Sequence, residues 1–381
     1  MPNIFLHNIL KKIFILIFTG LLFVLFIDPY GLNPLGLNIH RVNAVKYQRV
    51  KIDRLIKPWE VYWKQPKTIF MGTSRPHQAF NPEVLNDTVY ESAYNAGVPA
   101  AALSENLKYL KKYFELNKNI RYVILDIFWI NFLGKQKETA EVTYNLGTID
   151  FFSQFSSLFF SIEAFTDSLV TFSKNTIKRI PGHCISPHGY YVFPQNIDSK
   201  GHLDGYLKNM HVEMKKMPAE IDPEKLNIID EISKLCEQNG AKLILTLLPE
   251  HPICDFFFEE NKLTPLRNYV LRRLSTYSNV YYFSALNEIG QNSNPYWWDP
   301  HHPSITVGNM ALECIKTGKP NSKIPDFGIL LTPTNVDQII KNRHISLKQW
   351  IDLNTSYIEN YKKIKGQYKP YNIVLPKEHA N

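Results

Sequence analysis

The chain opens on an apolar run and then changes rhythm. From Ile13 to Ile27, fifteen residues (IFILIFTGLLFVLFI) pass without a charge, between Lys11-Lys12 and Asp28. Leu6, Ile9 and Leu10 extend the apolar face backwards, where the two lysines can snorkel to lipid headgroups. Asp28-Pro29-Tyr30 follows in place of a small-x-small cleavage site, which favours an uncleaved transmembrane helix over a signal peptide. Lysines ahead of the span predict a cytoplasmic N-terminus and an extracytoplasmic body.

Beyond a connector over 31–66, with an amphipathic stretch around Ile52 to Trp63, apolar strands alternate with striped helices. Thr68–Met71 predicts a strand ending in Gly72-Thr73-Ser74-Arg75. A second strand is expected near Val89, giving way to Tyr94-Asn95-Ala96-Gly97. Leu103, Leu107, Leu110 and Phe114 then fall on one helical face. Tyr122–Phe128 (YVILDIF) has the near-continuous apolar character of a strand buried on both faces of a parallel sheet.

Residues 135–218 break the rhythm with an aromatic patch (Phe151, Phe152, Phe155, Phe159, Phe160) and a Gly/His/Pro-rich stretch, and read as an insertion or lid. Alternation resumes at Asp222-Pro223, a helix start whose stripe runs through Leu226, Ile229, Ile232 and Leu235 to a closing Gly240. Strands at Lys242–Leu248 and Val280–Phe283 and helices at Leu266–Tyr277 and Ile305–Ile315 complete the pattern. The expectation is an α/β protein with a parallel, doubly wound sheet, which binds ligands at the carboxyl ends of its strands. The expected division is an anchor over 1–30, the connector over 31–66, an α/β domain over 67–320 with its insertion at 135–218, and a peripheral, lysine-rich extension over 321–381 with a helix near Leu347–Ile364.

Composition narrows the function classes. The net charge of +8 is spread without a block of five or six Lys/Arg, which argues against a nucleic acid partner. A chain 44% hydrophobic and 13% aromatic has enough apolar side chain for a large packed core, which excludes a disordered protein. The four cysteines (Cys184, Cys236, Cys254, Cys314) form no C-x-x-C pair, which disfavours zinc, and in an oxidising compartment they allow three pairings. Cys236 and Cys314 lie on apolar helix faces and are expected to be buried thiols.

Three loops at strand ends carry candidate chemistry. In Gly72-Thr73-Ser74, a serine at a sharp strand-to-helix turn exposes its hydroxyl and aims its own N–H at a developing oxyanion; the bland alternative is a helix cap. In Asn95-Ala96-Gly97, a glycine lets backbone approach a ligand and donate a second N–H; the bland alternative is a turn. In Trp297-Trp298-Asp299-Pro300-His301-His302-Pro303, an Asp three residues before a His can orient the imidazole that a serine nucleophile requires. Adjacent His301 and His302 make a poor metal pair. Trp297 and Trp298 are expected in packing rather than against sugar rings, and His251 as a loop residue at the active edge.

Taken in this order, Gly-Thr-Ser, Asn-x-Gly and Asp-x-x-His, with Gly308 downstream, resemble the SGNH (GDSL-type) hydrolase superfamily. The N-terminal anchor and the Gly-Thr-Ser-Arg sequence narrow the resemblance to membrane-anchored relatives in bacterial envelopes, such as alginate O-acetylation and D-alanyl-lipoteichoic acid transfer proteins. The resemblance implies a three-layer, flavodoxin-like fold. It implies Ser74 as nucleophile, His302 as base and Asp299 as orienter, with Gly97, Asn95, Asn131 and Arg75 around the oxyanion or substrate. It also implies an acyl-serine intermediate, acylated envelope polysaccharide or lipid as substrate, envelope-biosynthesis membrane proteins as partners, and neither metal nor cofactor. The family's Gly-x-Asn-Asp is replaced by Asp126-Ile127-Phe128-Trp129-Ile130-Asn131. Asp126 can only accept, and would oppose an oxyanion unless protonated; Asn131 can donate, from a different spacing. Loss of one oxyanion donor costs on the order of 10²–10³ in rate. The alternative is therefore an inactive SGNH-fold scaffold or a glycan-binding protein.

Overall fold

The structure, a computed structural model, describes residues 2–32, 38–134, 153, 156, 158–178, 184–193, 220–291, 296–356, 358, 359 and 362. In chain order its elements are α1 (Pro2–Ile27), α2 (Asp53–Lys64), β1 (Thr68–Met71), α3 (Ser74–Ala79), β2 (Ala93–Asn95), α4 (Leu103–Leu116), β3 (Tyr122–Asp126), α5 (Ile162–Ser173), β4 (Cys184–Ile185) and β5 (Tyr191–Val192). Then come α6 (Pro223–Gln238), β6 (Lys242–Leu247), α7 (Pro252–Glu260), α8 (Thr264–Leu274), β7 (Val280–Tyr282), α9 (Glu288–Gln291), α10 (Ile305–Thr317), β8 (Ile329–Leu330) and α11 (Val336–Leu353). Phe151, Phe152, Phe155 and most of the expected insertion lie outside the described residues.

The chain divides into two units. The first comprises residues 1–59, 141–186 and 191–195, and the second 60–140, 187–190 and 196–381. In the first, α1 carries a 24-residue stretch, Ile4–Ile27, long and apolar enough to cross a membrane. Its last turn enters a small core of Val24, Tyr30, Leu32, Ile52, Ile56, Trp59, Phe159 and Ala164.

The second unit is a mixed α/β body built on a six-stranded sheet of order β2-β1-β3-β6-β7-β8. The first five strands are mutually parallel and β8 is antiparallel to β7. β3 is central, and Val123, Ile124 and Leu125 are shielded on both faces, which is why that run is continuous rather than alternating. The register sets Met71 beside Leu125 and Asp126 beside Thr246, so the loops after β1, β3 and β6 leave one edge together.

Two expectations change. The second strand is Ala93–Asn95, whereas Val89 is 67% exposed in the preceding turn. Within the extension expected to be peripheral, residues 329–353 supply β8 and α11, and residues 363–381 lie outside the described residues. Arg343 of α11 is buried and donates to the Asp255 carboxylate, Tyr282 Oη and Ser284 Oγ. Cys236 and Cys314 are buried thiols, as their helix faces predict.

Candidate active site

Gly72 makes the turn after β1 possible. Its φ is +133°, and an added Cβ would stand 2.9 Å from both Asp126 O and Pro76 Cγ. Asn106 Oδ1 accepts from the Gly72 N–H at 3.1 Å. Asn106 was missed by the sequence reading, although a polar residue on the apolar face of α4, between Leu103 and Leu107, is a visible signal. Thr73 caps α3 through its hydroxyl, which accepts from Arg75 N, so the turn is at once a helix cap and a pedestal for the next side chain. Ser74 is half-buried in the first turn of α3, and its own N–H has no acceptor among the described residues.

Across 228 positions of sequence, Ser74 Oγ lies 2.7 Å from His302 Nε2. The other ring nitrogen, Nδ1, lies 2.6 Å from Asp299 Oδ2. Asp299 Oδ1 accepts the backbone N–H groups of His301 and His302 at 2.9 and 3.0 Å. Burial acts to raise the Asp299 carboxyl, but the facing His302, with His301 behind it, outweighs burial and holds it below the ordinary range. An ionised Asp299 fixes the proton on Nδ1 and leaves Nε2 as an acceptor for the serine hydroxyl.

The loop that carries this pair is braced. Trp298 N donates to His302 O at 3.0 Å, Ser304 N to Tyr296 O at 2.8 Å, and His251 N to Pro300 O at 2.9 Å. Trp297 is buried, and its indole N–H donates to Ile289 O, so it packs rather than stacks on a ligand. His251 is likewise structural: it caps α7, its Nδ1 accepts from Ile253 N at 3.2 Å, and burial pushes its pKa down to about 3. Behind the loop α10 meets α3 at Gly308, where an added Cβ would fall 1.8 Å from Ala79 O.

The remaining expected site residues are engaged elsewhere. Gly97 N–H donates to Asn95 Oδ1 at 3.0 Å rather than toward Ser74, and the close approach that requires glycine there is to the His77 backbone. Asn95 is fully buried; its Nδ2 donates to Pro76 O and Phe80 O, satisfying carbonyls at the end of α3. Arg75 is 2% exposed, donates to Leu248 O and Pro249 O, and stacks on Phe128. The Asn95 side chain is thus taken up by backbone groups, while Arg75 Nε faces Asp126 Oδ2 at 3.9 Å. Asn131 sits half-buried in a 3₁₀ turn, Trp129–Phe132, packed on α6 and α8, with no hydrogen bond to Ser74, His302 or Asp299 among the described residues.

Asp126 is buried, accepts from Leu248 N and Thr246 Oγ1, and is pushed upward by burial against the pull of Arg75. Glu250, Cys254 and His301 bring three ligand-type atoms within 4.8 Å of one another. Hydrogen bonding already occupies this cluster, with His301 Nδ1 3.2 Å from Glu250 Oε1 and Cys254 Sγ donating to Pro300 O. Burial would raise the Glu250 carboxyl, but His301, Arg75 and Arg343 hold it low, and those two guanidinium groups disfavour a further cation.

No family model matches the chain. No curated protein matches it. Among solved structures, the chain is similar to "The structure of a putative platelet activating factor from Streptococcus pneumonia", at 12% identity and a TM-score of 0.36, over 71% of this chain and 94% of that one.

Proposed function

We propose that this protein is a membrane-anchored serine esterase or O-acyltransferase of SGNH type, with α1 as a single-pass anchor in the cytoplasmic membrane and the α/β unit on the extracytoplasmic side. The observation that carries the reading is the relay of 2.7 Å from Ser74 to His302 and 2.6 Å from His302 to Asp299. The strand order β2-β1-β3-β6-β7 also supports it. That is the flavodoxin-like order, whose switch point, between its first and third strands, is where such sheets place ligands.

In this reading Ser74 Oγ attacks an ester carbonyl while its proton passes to His302 Nε2. The oxygen that becomes negative is met by the Ser74 N–H. Collapse expels the alcohol, which takes the proton back from His302 and leaves an acyl-serine. Water or a sugar hydroxyl, deprotonated by His302, then attacks the acyl carbon, and His302 returns that proton to the departing Ser74 Oγ, which restores the free serine. Asp299 stays ionised and stabilises the imidazolium formed at each step. Acylated polysaccharides or lipids of a cell envelope are the substrates that an anchored enzyme of this kind would meet.

The occupied Gly97 amide favours a second reading, a scaffold that keeps the fold without turnover. Turnover of p-nitrophenyl acetate and labelling by a fluorophosphonate probe separate the two. The enzyme reading expects both from the wild type and neither from Ser74→Ala. Turnover that survives Ser74→Ala overturns the serine mechanism, and a folded wild type inert to both reagents favours the scaffold.

A further inference from the structure

Helix α5 is amphipathic in the wrong sense for a water-soluble surface. Its inward face is polar: Asp167, Ser168 and Thr171 are buried beside Ala164, and Asn175 follows one turn on. Asp167, Ser168 and Asn175 each have a partner, and the buried Thr171 Oγ1 has none among the described residues. Asp167 accepts from Tyr30 Oη at 2.9 Å and Lys51 Nζ at 2.6 Å; Ser168 Oγ donates to Ala164 O; Asn175 Nδ2 donates to Val45 O. The outward face is apolar. Ile162, Phe165, Leu169 and Phe172 recur at three- and four-residue spacing and are 85, 39, 46 and 39% exposed, with Ile177 beyond them at 77%.

This stripe continues the lipid-facing surface of α1. Phe23 meets Phe165 and Phe172 edge-on at 5.8 and 6.4 Å, and Gly20 leaves room for the Phe165 ring at 3.8 Å. Around that contact Phe18, Leu22, Leu25 and Phe26 of α1 are also exposed. The apolar stretch Ile4–Ile27 covers about 36 Å at 1.5 Å per residue, enough for the ~30 Å hydrocarbon layer, so α5, which meets α1 at Gly20 and Phe23 near the end of that stretch, lies toward one boundary of the layer. Glu163 is exposed in the first turn, which suits a helix at the level of the headgroups rather than the bilayer centre.

We infer that α5 lies in the interfacial layer of the bilayer that α1 crosses, with its Ile162–Phe165–Leu169–Phe172 face against acyl chains, so that the first unit holds the membrane at two places. The inference rests on α1 being a span. The test uses the full chain in phosphatidylcholine–phosphatidylglycerol vesicles, in a Cys184→Ser background that leaves only buried native thiols. An environment-sensitive fluorophore is attached at Ile162→Cys, Leu169→Cys, Leu16→Cys (span control) or Lys319→Cys (water control), one site per protein.

The expected result is quenching of the 162 and 169 labels by nitroxide-bearing lipids, with iodide quenching reduced about fivefold or more relative to 319. Iodide quenching at 162 and 169 equal to that at 319, with the label at 16 in lipid, overturns the inference and leaves the anchor standing. Shielding of 162 and 169 from both quenchers assigns the face to protein and also overturns it. A label at 16 that iodide reaches removes the anchor reading and this inference together.

Discussion

Gly308→Ala tests whether the relay depends on how closely α10 approaches α3. The new methyl would sit 1.8 Å from Ala79 O and 2.3 Å from Ala79 C. Both are backbone atoms, so no side-chain rotation relieves the clash. Reaching an ordinary 3.4 Å contact takes about 1.6 Å of separation between two helices that begin at Ile305 and Ser74, just beyond His302 and at the hydroxyl it faces. Overpacking of this kind costs about 1–3 kcal/mol, and at roughly 2–4 °C per kcal/mol the Tm should fall by about 2–12 °C. The effect on chemistry is larger, because a 1 Å misplacement of a reacting group costs on the order of 100-fold. The assay is kcat/KM on p-nitrophenyl acetate, with the rate of fluorophosphonate labelling as a readout of Ser74 alone. Gly318→Ala is the matched control: its φ is +66°, but no atom lies within 4 Å of the added Cβ. It should lose about 1 kcal/mol of stability through left-handed strain and keep its activity. If Gly308→Ala retains wild-type kcat/KM within twofold, the dependence of the relay on this helix contact is wrong.

Asp299→Asn should lower kcat by about 10³–10⁴, because an amide no longer selects the Nδ1–H tautomer; steady-state kinetics with a matched thermal melt checks this. The Asp299 carboxyl is held below its unfolded value, so the stability it contributes is present above pH ~4 and is lost as pH falls through the lower folded value. Acid titration of unfolding should therefore lose that component in Asp299→Asn. His251, pushed down to about 3, is protonated first in the unfolded chain, so acidification from about pH 6.5 toward 3 should destabilise the fold by up to about 1.4 kcal/mol per pH unit. His251→Asn, which can still cap α7, should flatten that slope in urea titrations. Arg343→Met leaves the buried Asp255 with less compensation and should cost about 3–5 kcal/mol in denaturant unfolding.

The sheet was legible wherever burial on both faces leaves an unbroken apolar run, as in Tyr122–Asp126, and helix starts were legible at caps such as Asp222. β2 was displaced because Val89 has the β-branched side chain and Asn95 does not. The strand is held by backbone pairing to β1, and Asn95 is tolerated inside because all its polar atoms are bonded locally. Ser74, His302 and Asp299 stood out because each lies in a short sequence pattern. The expected second oxyanion donor did not survive, since Asn-x-Gly can close on itself as readily as open toward a ligand. The lock of Arg343 on Asp255 spans 88 positions and leaves no local trace, so a lysine-rich tail concealed a core helix.

Because 228 positions of sequence separate the hydroxyl from the imidazole, a growing chain holds both only after most of the body has been made. A polypeptide emerging amino end first shows its serine early, as an ordinary alcohol with no base beside it. Only when the segment carrying Asp299 and His302 has been made and seated does that alcohol gain the imidazole that the proposed mechanism requires. Under the proposed esterase reading, the wide separation would work as a built-in delay that keeps Ser74 silent until assembly is done.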